Sequence, residues 1–126
     1  MLIGSKIRKV CKGKRFTKQQ KAKIRMMFED GFSISQVQLC AVPAFNIDQM
    51  EMIIGGFTMG LSEAQIAFYA KTEFTSEQMY QIRLGFLEGL TIEQVFVYAK
   101  PEFTPEQMKK LRIVLTKDTI PEYARK

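Results

Sequence analysis

Apolar residues along this chain recur at helical spacing, and the spacing itself recurs. In the stretch from Phe74 to Glu102, FTSEQMYQIRLGFLEGLTIEQVFVYAKPE, the stripe Met79, Ile82 and Phe86 marks one face of a helix. Val95 then points inward from a second, shorter helix that closes on Tyr98-Ala99. The stretch from Phe45 to Glu73 repeats the pattern with Met50, Ile53, Phe57, Ile66 and Tyr69-Ala70. An earlier copy opens at Phe16 and a truncated one at Phe103, so the opening phenylalanines stand 29 residues apart each time. Self-similarity at a fixed period in this range predicts a stacked repeat architecture.

The polar positions agree with the apolar ones. Thr17, Asn46, Thr75 and Thr104 each stand three residues before Gln20, Gln49, Gln78 and Gln107. This is the capping box, in which the cap side chain accepts from a free backbone N–H and the glutamine reaches back to the cap. Pro105 occupies a first helical position, where its missing N–H costs nothing. A helix of about 13 residues is expected from each box. It ends at Gly31, Gly60 or Gly89, suited to a left-handed C-terminal cap, with Phe32, Leu61 or Leu90 as the apolar contact beside it. A second box follows at once, Ser33 with Gln36, Ser62 with Gln65 and Thr91 with Gln94, and opens a helix of about eight residues. Pro43, Thr72 or Pro101 breaks the chain before the next copy.

The expected fold is all-α: an α-solenoid of three 29-residue helix-turn-helix repeats, 16–44, 45–73 and 74–102, in one domain. Residues 1–15 form a basic N-terminal half-repeat cap, since Ile3, Ile7, Val10 and Cys11 lie on one helical face and Cys11 aligns with Cys40, Tyr69 and Tyr98. Residues 103–126 form a truncated fourth copy, with Asp118 where the glycine stood and Tyr123-Ala124-Arg125 echoing the Tyr-Ala-Lys of the other copies.

Composition narrows the function classes. The 126 residues hold no histidine and no tryptophan, so no Ser-His or Cys-His pair exists for nucleophilic chemistry, and no glycine-rich phosphate loop follows a strand. Catalytic residues, cofactors and a metal site are not expected, and the chain is read as a binding protein and not an enzyme. Cys11 and Cys40 are too few for a disulfide scaffold, are expected as small inward core residues, and fit a cytoplasmic, reducing home. No apolar run reaches the roughly 20 residues of a membrane span, and no secretory signal is recognised. The acids that recur at helix starts, Glu63, Glu77, Glu93 and Glu106, are explained by the helix dipole.

Charge is the feature that points outward. Residues 1–25 carry ten Lys/Arg and no acid, so the sections 1–25, 26–100 and 101–126 have net charges of +10, −6 and +2. Lys6, Arg8, Lys9, Lys12, Lys14, Arg15, Lys18, Lys21, Lys23 and Arg25 therefore form the leading candidate surface for an anionic partner, either nucleic acid or an acidic protein. With only Phe16 among them, stacking on single-stranded bases is not supported. Arginine also recurs at one repeat position, Arg25, Arg83 and Arg112, with Ile54 interrupting the series. Two readings are open there: a ladder that tracks phosphates, or a consensus residue paired with a neighbouring acid. Met26, Met52, Met59, Leu84, Leu87 and Phe96 lie off the core stripe and are candidates for a protein-binding or self-association face.

The Phe-Thr-x-Glu-Gln-Met and Gly-Leu-Thr-x-x-Gln pattern resembles short tandem helical repeats in uncharacterised proteins of bacterial mobile elements and phages. The resemblance covers about 110 residues, and the first copy departs from it with Lys21 for Met and Cys40 for Tyr. It implies a small mobile-element protein, some of which inhibit host defence nucleases such as a CRISPR effector. The leading expectation is a non-enzymatic protein docking its basic end on nucleic acid or a nucleoprotein complex. The alternative is a protein–protein inhibitor or adaptor using the repeat face.

Overall fold

The computed structural model describes residues 2–118, and these form eight helices and no strand. They are α1 (Ile3–Cys11), α2 (Lys18–Glu29), α3 (Ile34–Cys40), α4 (Ile47–Thr58), α5 (Glu63–Tyr69), α6 (Ser76–Leu87), α7 (Ile92–Tyr98) and α8 (Pro105–Asp118). The long helices α2, α4, α6 and α8 each pack on their predecessor, and α3, α5 and α7 sit beside them. α1 touches both α2 and α3. Tyr123, Ala124 and Arg125 lie outside the described residues.

Every expected cap forms. Thr17, Ser33, Asn46, Ser62, Thr75 and Thr91 each accept from the backbone N–H three residues on, and the glutamine there accepts from the cap's own N–H. Such a cap contributes about 1 kcal/mol. At the other end, Gly31, Gly60 and Gly89 have φ of 92°, 95° and 92°. Leu90 N–H donates to Gly85 O and Gly89 N–H to Phe86 O, both at 3.0 Å, which is the double bond of a Schellman motif. α2, α4 and α6 are 12 residues long, whereas α8 runs to 14, because no glycine interrupts it.

The glutamines of the first boxes do more than cap. Gln20 Nε2 donates to Phe45 O at 2.8 Å and to Pro43 O at 3.0 Å. Gln49 Nε2 donates to Phe74 O at 2.7 Å, and Gln78 Nε2 donates to Phe103 O at 2.7 Å and Pro101 O at 2.9 Å. Each side chain is therefore shared between its own cap and the chain entering the next copy, and all three are 6 % exposed. Among the described residues, the second-box glutamines, Gln36, Gln65 and Gln94, serve only their own caps.

A glycine inside each of two long helices admits a tyrosine. Tyr69 and Tyr98 are fully buried, and their hydroxyls donate to Met52 O and Gln81 O, each at 2.7 Å. A Cβ on Gly56 would overlap the Tyr69 hydroxyl, and one on Gly85 would overlap that of Tyr98. In the first copy the same two positions hold Met27 and Cys40, both fully buried. The long residue has moved to the helix and the short one replaces the ring, so the volume of the pair is kept. In the last copy the glycine position is Val114, which is 55 % exposed because no short helix covers it among the described residues.

Two outcomes test this packing. Gly56→Ala should destabilise the chain by more than about 2 kcal/mol, since the ring has nowhere to move. Gly56→Met combined with Tyr69→Cys, which copies the first repeat, should recover much of that loss in a denaturant titration. Gln49→Ala should cost about 1–3 kcal/mol, because it leaves the Asn46 N–H and the buried Phe74 carbonyl without their partner. Gln65→Ala, at a box that serves only its own cap, should cost about 1 kcal/mol or less.

Candidate basic docking surface

The N-terminal cations come from three places. α1 carries Lys6, Arg8 and Lys9, the turn around Gly13 carries Lys12, Lys14 and Arg15, and α2 carries Lys18, Lys21, Lys23 and Arg25. Because α1 packs on α2, one end of the protein gathers all ten. Lys18, Lys21 and Arg25 follow i, i+3, i+7 and so share a face of α2, over about 10 Å of helix.

Local partners hold only some of them. Lys23 Nζ pairs with Glu51 at 3.1 Å, Lys14 Nζ reaches Ala41 O at 3.5 Å, and Arg8 donates to Ser5 Oγ at 3.1 Å. The Lys6 ammonium lies 5.9 Å from the centre of the Phe28 ring, with its stem half-buried. Lys9, Lys12, Arg15, Lys18, Lys21 and Arg25 are exposed and form no ion pair among the described residues. No exposed aromatic ring lies within this segment, since Phe16 is half-buried. The surface therefore offers charge and hydrogen-bond donors without a stacking platform or a base-reading device.

The arginine series divides. Arg25 is exposed, whereas Arg83 and Arg112 are buried at 8 % and 7 % exposure between long helices. Arg112 Nε donates to Gln81 Oε1 at 3.2 Å, and its Nη1 meets Glu88 Oε1 at 2.5 Å. Arg83 lies 5.4 Å from the Tyr80 ring centre, and its Nη1 reaches Met52 O at 3.5 Å. Two of the three arginines thus lie buried between long helices, and no continuous exposed ladder exists among the described residues.

No family model, curated protein or solved structure matches this chain.

The apolar candidates also divide. Met26, Met59, Leu87 and Phe96 are exposed, Phe96 and Met59 most of all at 58 % and 56 %, while Met52 and Leu84 are half-buried. Lys100 lies 4.1 Å from the Phe96 ring centre, and Phe68 stacks edge-on against both Phe86 and Phe96. Ile92, Val97 and Tyr80 add exposed apolar area that the sequence reading missed. The missed signal is that a seven-residue helix buries only two of its side chains, so the outer face of α7 stays open. No helix among the described residues is long and apolar enough to cross a membrane.

The thiols are packing groups. Cys40 is fully buried, its Sγ lies 3.7 Å from Met50 O, and burial pushes its pKa up from 9.0 to about 12 against the opposing charge of Lys23. Burial also raises Cys11, opposed by Lys21 and Lys14. Both stay protonated at neutral pH and are weak nucleophiles. Iodoacetamide should label Cys40 only after unfolding, read by mass. The raised folded pKa also makes Cys40 stabilising below pH 9.0, with that contribution lost as pH rises towards about 12. Burial raises Tyr69 and Tyr98 from 10.0 in the same sense. The melting temperature should therefore fall as pH rises through this window, from 9.0 towards about 12.

Proposed function

We propose that this chain is a non-enzymatic binding protein that docks its basic end on nucleic acid or on a nucleic-acid-containing complex. In this reading it is an α-solenoid of three repeats, 16–44, 45–73 and 74–102, between half-repeat caps. The caps and the repeats play different parts. The repeats supply a rigid body of helices fastened copy to copy, and the N-terminal cap with the first long helix presents the charge.

The observation that carries the reading is the set of six exposed, unpaired cations on α1, α2 and the turn between them, in a segment without an acid. A phosphate backbone satisfies such a surface by releasing condensed counterions, and it asks for no sequence preference. The lack of an exposed ring there favours a duplex over a single strand. The acidic body, at −6 over 26–100, confines a polyanion to the basic end by repelling it elsewhere.

The test replaces Lys9, Lys12, Lys18 and Lys21 with Gln and measures binding to a fluorescent duplex over a salt series. Affinity should fall for any duplex sequence, and the slope of log affinity against log salt should flatten by about 0.9 per lost phosphate contact. The melting temperature should barely change, because these exposed lysines hold no partner. A parent protein that binds no nucleic acid at low salt, yet retains a protein from nuclease-treated lysate, would replace this reading with the inhibitor or adaptor one.

A further inference from the structure

The repeat provides an internal standard for Arg83. At the α6–α8 contact, Arg112 finds two acceptors on the preceding helix and its cap: Gln81 for Nε and Glu88 for Nη1. Moving back by one 29-residue period, Arg112 becomes Arg83, Gln81 becomes Met52 and Glu88 becomes Met59. Both acceptors have been replaced by thioethers. The consequence is visible at the guanidinium. Arg83 Nε is buried with no hydrogen-bond partner among the described residues, and Nη1 has only the long contact to Met52 O, a carbonyl already taken by the Tyr69 hydroxyl. No carboxylate pairs with it among the described residues.

A buried cation without a counter-ion is costly, and its desolvated donors remain free to bind an anion. The missing partner has a defined place. Glu88 approaches Arg112 from the rim, with a side chain 37 % exposed, and Met59 at the matching position is 56 % exposed. An anion can therefore reach Arg83 from solvent. The guanidinium lies directly over Gly55, where a Cβ would collide with Nη1, so the backbone of α4 leaves room for it. The rim is apolar: Met52, Met59, Tyr80 and Leu87, of which the last two are 40 % and 39 % exposed.

We propose that Arg83 anchors a protein-docking face, which takes one carboxylate from an apolar-flanked acidic segment of a partner into the place that Glu88 holds against Arg112. The flexible thioethers suit an apolar flank, because methionine surfaces adapt to the side chains laid on them. Charge complementarity selects the anion, and the surroundings select its carrier. No cavity among the described residues encloses a small molecule. A polyphosphate would have to lie along a section of net charge −6. A single carboxylate on an apolar segment meets neither obstacle. This face lies on α4 and α6, apart from the cations of α1 and α2, and it stands whether or not the basic end binds a duplex.

The experiment pans a random-peptide display library on the immobilised full chain at about 0.15 M salt. A selected peptide is then synthesised with and without its carboxylate. The informative variant is Met52→Gln with Met59→Glu, which supplies Arg83 with the acceptors of Arg112 and does not threaten the fold. The selected peptides should share one Asp or Glu among apolar residues, and the amide version should bind at least about tenfold more weakly. The double variant should melt at a higher temperature and lose the peptide. Arg83→Met, verified as folded by circular dichroism, should lose it too. The proposal is overturned if no acidic motif is selected, if the double variant melts no higher than the parent, or if it keeps the peptide. It is equally overturned if a 20-base-pair duplex displaces the peptide and is itself lost in the double variant, since phosphate would then be the occupant.

Discussion

The structure depends on one shared side chain per copy. Gln20, Gln49 and Gln78 each close a helix cap and, with the same amide group, hold the backbone carbonyl of the phenylalanine that opens the next copy. A primary amide suits this role because its oxygen and nitrogen face opposite ways and carry opposite hydrogen-bonding character. The bond is buried at Gln20 and Gln49 and partly buried at Gln78, so water replaces it poorly, and losing the donor leaves a carbonyl stranded. The position of one copy relative to the next is therefore set by a bond whose other half already fixes the start of a helix. Gln107, with no following copy among the described residues, is exposed and keeps only the cap.

Around this constant bond the contacts between copies differ. The Gly56–Tyr69 and Gly85–Tyr98 pairs insert a ring under a long helix, and Met27 with Cys40 fills the same positions by a different division of volume. The arginine position varies more. Arg112 meets Glu88, and in the 29-residue register the matching pairs are Arg83 with Met59 and Ile54 with an exposed Asp30. Three copies of one scaffold thus present an acid without its arginine, an arginine without its acid, and the complete pair. The Gln20, Gln49 and Gln78 bonds recur while the side chains at these register positions differ, which distinguishes one part of the surface from another.

Charge follows a similar division of labour. The helices that carry seven of the ten N-terminal cations bury few residues of their own: α1 buries only Val10, and α2 buries Gln20, Ile24, Met27 and Phe28. The cations stay on the outer side, so their mutual repulsion is screened by solvent and costs the core little. In the body, Asp48, Glu63, Glu77 and Glu93 stand in first helical turns, where the helix dipole supports them, and Ser35 Oγ also donates to Glu63. A protein built this way separates the groups that hold it together from those it exposes to solvent.

The sequence by itself determined the helices, their ends and their period, because those are local matters. A cap needs an oxygen and a glutamine three residues apart, a left-handed stop needs a glycine, and an apolar stripe needs a spacing; each is read from neighbours in the chain. Both kinds of glutamine box look alike at that level, and only the tertiary structure separated Gln20, Gln49 and Gln78 from Gln36, Gln65 and Gln94, because the deciding carbonyl lies about 25 residues away. The same holds for Gly56 and Gly85, unremarkable inside a helix until a ring from the next helix is seen beneath them. The cations were legible as a block, since charge is additive along a chain. Which of them are free was not, because that depends on Glu51, Ala41 and Phe28, brought near by packing. Arg83 and Arg112 read as identical letters in one register. Burial made one a satisfied ion pair and left the other with an unpaired Nε, because the acceptors belong to the neighbouring copy.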